Sequence, residues 1–384
     1  MKTIELGSIG RFQSGGTPSK KEASYFGGDI PWITTVALNG KIIDEKEATD
    51  WLTEEGVKNS ATKLIPAFSL MVGTRVGVGK VAVNRVDMCI NQDIISIVDI
   101  NKEKWDMDYL RFFVQSSAIK LNSLARGATI KGIKLEVLQQ LKIPQISLEE
   151  QKCIVSVLGG IQEIIEFETK QLEDLDTLIK SRFVEMFGDM TINPNEWEVT
   201  SLGKVCDVRD GTHDSPKYFA KGYPLVTSKN VTSGKIDFTD CSLICEEDYN
   251  KINERSKVDF GDILMPMIGT VGKPVIVDVD AEFAIKNVAL IKFYENSKVT
   301  NVFVKALLQS DYFDRVVMRK IRGGTQKFIA LGDIRKLKIC VPPMEVQKQF
   351  ATFVVQTDKS KLLVQKLLDE TQQLFDALMQ KYFS

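Results

Sequence analysis

Two polar clusters recur at matching places in this 384-residue chain. Gly15, Gly16 and Thr17 stand in the first half with Asn91 and Gln92, and Gly211, Thr212 and His213 stand in the second with Lys286 and Asn287. Asn and Gln offer the donor and acceptor pair that fits adenine, and Arg or Lys fits guanine. The glycine loops are candidates for bringing backbone N–H groups close to a phosphate. Signals for covalent chemistry are thin. His213 is the single histidine, and the first half has Pro18 near the corresponding place, so no catalytic group is shared. The run GTRVGVGK from Gly73 to Lys80 resembles a phosphate loop. However, Thr74 stands where the Walker glycine belongs and Val81 where a Ser or Thr belongs.

Other catalytic patterns fail in similar ways. No GxGxxG follows a strand. Base methylation would need a cofactor site and a catalytic proline motif, and neither NPNE at Asn193 nor VPPM at Val341 fits. Glu150 and Lys152 have the E-x-K form of some nucleases, but the copy of this stretch has Val346 in place of the acid. The six cysteines are scattered without a CxxC pair, which reads as free thiols in a reducing compartment.

Charge is more informative than catalytic pattern. The net charge of −1 excludes a uniformly basic chain, so any nucleic-acid contact must come from local patches. From Arg319 to Lys338 the net charge is +6, and in the matching window Arg126–Lys142 it is +3. Candidate phosphate or base contacts are Arg75, Lys80, Arg126, Thr129, Lys131 and Lys134 in the first half. In the second half they are Lys273, Arg322, Thr325, Gln326 and Lys327. The stretch Leu148–Phe187 has a net charge of −5, so phosphates would be attracted to the flanking segments and repelled by this one.

These clusters are positioned by a duplicated frame. IELGSIGRFQSGGTPS pairs with VTSLGKVCDVRDGTHDSP, PWITTVALNGKIID with PLVTSKNVTSGKIDF, and IPAFSLMVGTRVGVGK with VDFGDILMPMIGTVGK. The clearest pair is Arg126–Lys152 against Arg322–Lys348, with 12 of 27 positions identical and no gap. Unrelated sequences would share about two. Within each repeat, Ile94–Asp99 and Val288–Phe293 read as strands. Trp105–Leu124 and Val299–Met318 read as helices. Gly15-Gly16, Gly27-Gly28 and Gly211 mark turns, and the Arg-Gly stretches read as hairpins or loops.

Each repeat ends in a long heptad helix. Ser147 and Glu150 form a capping box. Ile154, Leu158, Ile161, Ile165, Glu168, Leu172, Leu175, Ile179, Arg182 and Met186 then alternate four and three apart, the seam of a coiled coil. In the copy the seam is Phe350, Val354, Thr357, Lys361, Val364, Leu368, Thr371, Phe375, Leu378 and Tyr382. The duplication therefore supplies a partner helix, and an antiparallel pairing is expected. Gly159 and Gly160 inside the stripe cost about 2 kcal/mol of helix propensity relative to alanine, which predicts a bend or a close helix contact there.

The expected fold class is α+β: two repeated α/β recognition domains separated by two long helices in an antiparallel coiled coil. The segments are 1–147, helix 148–188, linker 189–198, 199–343 and helix 344–384. No run of 18 apolar residues appears, so no membrane partner is expected. The N-terminus lacks the apolar stretch of a signal peptide.

Two variable domains, each closed by R-G-x-T-x-K-x-I, then L-K-I, proline, E-x-Q-K and a heptad helix ending in an aromatic residue, resemble the specificity subunit of type I restriction-modification systems. The resemblance covers essentially the whole chain, strongest over Arg126–Phe187 and Arg322–Phe383. A single Pro144 stands where the second repeat has Pro342-Pro343. The resemblance implies that each domain reads one half of a split double-stranded DNA site. It implies that the helices space the domains and dock two methyltransferase subunits, which restriction/motor subunits join. S-adenosylmethionine, ATP and Mg²⁺ would then belong to the partners, with no cofactor or metal on this chain, in the cytoplasm of a bacterium or archaeon. From Ile154 to Met186 is roughly 48 Å at ~1.5 Å per residue, or about 14 base pairs, an upper bound on half-site spacing. A stand-alone methyltransferase or nuclease, and a coiled-coil adaptor that binds protein alone, are the alternative readings.

Overall fold

The computed structural model describes residues 2–127, 131–231, 234–268, 272–280, 282–320 and 328–383, with the Lys320 side chain excepted. The chain divides into two compact units, Met1–Thr169 with Lys366–Ser384, and Lys170–Gln365. Each unit holds one globular repeat and half of each long helix.

In the first unit, a five-stranded sheet runs in the order Arg11–Ser14, Ile94–Val98, Leu70–Gly73, Val81–Asn84 and Ile42–Ile43. A second sheet orders Asp50–Leu52, Phe26–Ile33, Met88–Ile90 and Leu64–Ile65. The strand Ile94–Val98 is buried throughout. Its side chains alternate between faces. Ile95 and Ile97 meet Tyr109 and Phe113 on one side, and Ile94 and Val98 join Ile33 and Ile90 on the other. Both faces are covered, so the run is almost wholly apolar.

The second unit repeats this plan with fewer strands among the described residues. One sheet orders Cys206–Asp210, Val288–Phe293, Ile263–Pro266 and Val275–Ile276; another orders Ser242–Ile244, Tyr223–Val226 and Ala284–Ile285. In each unit a two-stranded ribbon ties the start of the repeat to its end: Thr3–Glu5 pairs with Lys142–Pro144, and Glu198–Ser201 with Lys338–Val341.

Two local expectations need correction. The helix expected over 105–124 is two helices, Met107–Ser116 and Ala118–Leu124. The Ser116 and Ser117 hydroxyls donate to the Phe113 carbonyl at 2.7 and 3.0 Å, the local bonding that weakens a helix interior. Its counterpart breaks likewise into Asn301–Leu308 and Asp311–Val316, where Ser310 caps the second piece. Gly27-Gly28 lies inside the strand Phe26–Ile33, where the register shifts in a bulge, and Gly27 has a φ of +83°. The linker 189–198 is packed onto the second unit: Met190 is buried in that unit's core, and Asp189 pairs with Arg315 at 2.8 Å.

The long helices span Leu148–Phe187 and Met344–Phe383. The capping box forms as expected: the Glu150 N–H donates to the Ser147 hydroxyl at 3.2 Å and the Ser147 N–H to the Glu150 carboxylate at 2.8 Å. Gly188 ends the first helix with a φ of +69°, its N–H donating to the Val184 carbonyl at 2.8 Å. A left-handed C-cap of this kind favours glycine. The second helix starts on the Pro343 carbonyl, which accepts from the N–H groups of Val346 and Gln347.

The helix halves are antiparallel within each unit. In the first, Leu158 packs with Phe375 and Met379, and Ile154, Ile161, Ile165, Leu378 and Tyr382 line the same cluster. In the second, Phe350 near the start of one helix meets Phe183 and Phe187 near the end of the other, with ring centroids 5.7 and 5.2 Å apart; Ile179, Met186 and Val354 pack around them. Leu172, Leu175, Val364 and Leu368 are half-buried on their helices. Phe183 and Phe187 lie outside the four-three alternation yet are buried as deeply as core residues, alongside the seam residue Phe350.

Candidate nucleic-acid interface

Glycine shapes the rim of each unit for the same reason. A Cβ on Gly15 would lie 2.2 Å from the Asn91 carbonyl oxygen, and a Cβ on Gly211 would lie 2.2 Å from that of Ile285. Each glycine thus lets one loop close onto the residues before the buried central strand. The amides are consumed in doing so. The N–H groups of Gly15 and Gly16 donate to the carbonyls of Ile94 and Ile90, and those of Gly211 and Thr212 to Val288 and Ile285. The expected role of these N–H groups on phosphate is therefore corrected: the same close approach that requires glycine spends its donors inside the protein.

In the first unit this closure brings Thr17 to Gln92, whose amide oxygen accepts the Thr17 hydroxyl. Both are exposed. Asn91 does not share that surface. It is buried at 6% exposure, with its amide donating to the Asp93 carboxylate and its oxygen accepting the Asp93 N–H, both at 3.2 Å. Its expected base contact is corrected to a turn-shaping role. The Asp93 carbonyl in turn accepts the Thr74 N–H at 2.8 Å, and the Thr74 carbonyl accepts from Ile133. That chain of bonds carries the rim from Gln92 through exposed Arg75 to the Arg126–Gly132 bridge, beside exposed Arg126 and Lys131. Lys134 is exposed at the start of the helix Leu135–Gln139. Lys80, also exposed, lies at the base of the Arg75 turn, in a depression lined by Asn39, Gly40 and Gln115.

The second unit brings His213 to Asn287 at the same place. His213 Nδ1 is 2.8 Å from Asn287 Oδ1, and Nε2 is 2.9 Å from Asp210 Oδ2. The other Asp210 oxygen accepts from Arg255. The bonds to Asn287 and then to Asp210 push the His213 pKa above its ordinary value, against burial and the nearby Arg255 charge. Asn287 has a φ of +55°, a backbone region in which asparagine is among the few tolerated side chains. The Lys286 ammonium donates to the Ser215 hydroxyl at 2.7 Å. Lys273 is exposed. Thr129, Arg322, Thr325, Gln326 and Lys327 lie outside the described residues.

The basic windows are partly neutralised. Lys142 pairs with Glu5 at 2.7 Å and Arg319 with Asp314 at 3.4 Å. Arg335 donates to the Val208 carbonyl from two nitrogens, at 2.9 and 2.7 Å. Lys142 and Arg319 are thus partly neutralised by exposed partners, and Arg335 is oriented inward on a backbone carbonyl.

A pair of glutamines emerges as the joint between globular repeat and helix. Gln151 and Gln347 are both fully buried. The Gln151 oxygen accepts the Asp106 N–H at 2.9 Å, and its amide donates to the carbonyls of Lys104 and Ile146. Gln347 repeats the set with Thr300, Lys298 and Pro342. Tyr109 and Tyr312 tie their helices to the closing ribbon of each repeat, their hydroxyls donating to the carbonyls of Pro144 and Lys338. The signal was the shared E-x-Q-K string, but a glutamine in a first helical turn reads as solvated until its partners are placed.

The outer helix faces carry exposed apolar residues. In the first unit these are Val157, Ile164, Phe167, Leu367 and Leu374, and in the second Leu178, Val184, Val355, Leu362 and Leu363. Gly159 and Gly160 lie among the first set. A Cβ at either would meet nothing within 4 Å, so the close helix contact expected there is absent among the described residues.

The family model for the type I restriction modification DNA specificity domain matches twice, at residues 1–177 and 194–373. The chain belongs to the type I restriction-modification specificity family. The MjaIX specificity subunit of Methanocaldococcus jannaschii is 26% identical over 407 aligned residues, covering 98% of this chain and 91% of that one. The HindI specificity subunit of Haemophilus influenzae is 30% identical over 184 residues, 47% of this chain and 40% of that one. Among solved structures, a type I restriction-modification S subunit from M. genitalium matches with a TM-score of 0.54 at 15% identity, covering 100% and 96% of the two chains. A chain solved in work on assembly and conformational transition of the type I R-M system gives 0.59 at 18% identity, covering 100% and 97%. At these identities the structural likeness shows the fold of this specificity family.

Proposed function

We propose that this specificity subunit reads a bipartite double-stranded DNA site, each unit contacting one half through the rim described above. The observation that carries this reading is the repetition of that rim. In both units a glycine closes a loop onto the central sheet and sets an exposed side chain (Thr17 or His213) against a carboxamide, exposed Gln92 in one and half-buried Asn287 in the other. The side chains differ, so the two half-sites differ in sequence. The acidic helices stay off the phosphates and set the distance between half-sites. Their exposed apolar stripes are the docking surface for two methyltransferase subunits, and restriction/motor subunits join that core. S-adenosylmethionine, ATP and Mg²⁺ bind to those partners, in the cytoplasm where the DNA lies. This chain supplies recognition and assembly and no catalytic group.

Removing one heptad from each long helix, at facing positions, tests the spacing role. Seven residues are roughly 10 Å of helix, about three base pairs of DNA. Footprints of the complex assembled with its partners should show a shorter gap and the same half-site sequences. A change in the half-sites themselves would remove the helices from a pure spacing role.

A further inference from the structure

Both ring nitrogens of His213 face groups with oxygen acceptors. Asp210 is a carboxylate, which can only accept, and it is held by Arg255 from the helix Glu246–Ser256. Nε2 therefore carries a proton in either charge state of the ring, and Nδ1 is the nitrogen that titrates. Beyond it lies Asn287, fixed at its backbone: its N–H donates to the Thr212 carbonyl at 3.2 Å, and its carbonyl accepts the Ser228 hydroxyl at 3.3 Å. Only its terminal amide is left to turn. We propose that His213 sets the hydrogen-bond polarity that Asn287 presents to DNA.

With Nδ1 protonated, the ring donates to Asn287 Oδ1, and the outward group is the NH₂ donor. With Nδ1 bare, the ring accepts, the amide turns over, and the outward group is the carbonyl. The proton moves between solvent and Nδ1, and no covalent bond changes. The donor state suits an acceptor on a base edge, such as guanine O6 or N7 or thymine O4. The acceptor state suits the amino group of cytosine or adenine. In neither state does the amide keep both of its own groups free for the bidentate adenine contact. The first unit is a built-in control. There Thr17 meets Gln92, and a hydroxyl can donate or accept without a change of charge. The charged groups facing His213 are Asp210 and Arg255; neighbouring Lys286 turns its ammonium to Ser215. The raised His213 pKa agrees with a ring whose cation is held by two acceptors.

This inference rests on the DNA-reading function proposed above, and two measurements separate them. The chain has one histidine, so ¹⁵N-histidine labelling of the full chain reports one imidazole. We expect a midpoint above the ordinary histidine value of about 6.5, a base form with the proton on Nε2, and a lower midpoint in Asn287→Ala. A base form protonated on Nδ1, or a midpoint indifferent to Asn287→Ala, would overturn the switch. The second measurement is selection from randomised duplexes by the assembled complex, two pH units either side of that midpoint. The base preference should move at one position of one half-site, on the order of 10-fold, and His213→Lys should hold the low-pH preference at both pH values. Bipartite selection that ignores pH overturns only the switch. Selection with no bipartite site at either pH overturns the DNA reading and the switch with it.

Discussion

The two units share their backbone devices and differ at their tips. Gly15 and Gly211 make the same close approach, and Gln151 and Gln347 make the same three hydrogen bonds. By contrast, a neutral Thr17–Gln92 pair stands where the other unit has His213–Asn287 backed by Asp210 and Arg255. Among the described residues, the first unit builds nine strands into its two main sheets and the second builds seven. The glutamine joints with the helices are the same in both repeats, while the surface available for reading DNA varies. A specificity subunit needs that division, because a change at a tip alters what is read without disturbing assembly.

The comparison can be broken at the core first. Phe350 and Ile154 occupy equivalent places, but Phe350 is fully buried against two aromatic rings, Phe183 and Phe187, and Ile154 is half-buried. Phe350→Ala should cost about 3–5 kcal/mol and Ile154→Ala clearly less, measured by denaturant unfolding. Equal losses would contradict the greater dependence of the second unit on its aromatic cluster. Next come the glutamine joints: Gln151→Leu and Gln347→Leu each strand one N–H and two carbonyls, costing roughly 1–3 kcal/mol per unsatisfied group at most. The two losses should be alike, and hydrogen exchange should rise where helix and globular repeat meet. A cost confined to one unit would break the equivalence. Smallest is the cap. Ser147→Ala should cost about 1 kcal/mol, seen as fraying of the first helix alone, because the second helix starts on a proline carbonyl.

Much of this frame was legible in the residues. The four-three alternation located the seam because a heptad repeats over many turns, and the capping box placed the helix start. Phe183 and the helix-ending Phe187 leave the seam to meet Phe303 of the globular repeat, a contact set by tertiary structure that heptad spacing does not show. At the rim, glycine signalled a close approach but not its target, so the consumed amides of Gly15 and Gly211 were unforeseen. Asn91 and Gln92 are adjacent polar residues; only the turn through Asp93 shows that one is buried and the other exposed. Basic residues are countable in sequence, whereas the pairing of Lys142 with Glu5 spans most of the repeat.

The central claim is that two equivalent rims read two half-sites independently. The most direct test compares Gln92→Ala with Asn287→Ala in the complex assembled with its partner subunits, by mapping the bases it methylates across a genome. Gln92→Ala should relax selection within one half-site, Asn287→Ala within the other, with the gap between them unchanged in both. Relaxation of the same half-site by both variants, or a changed gap, would contradict it.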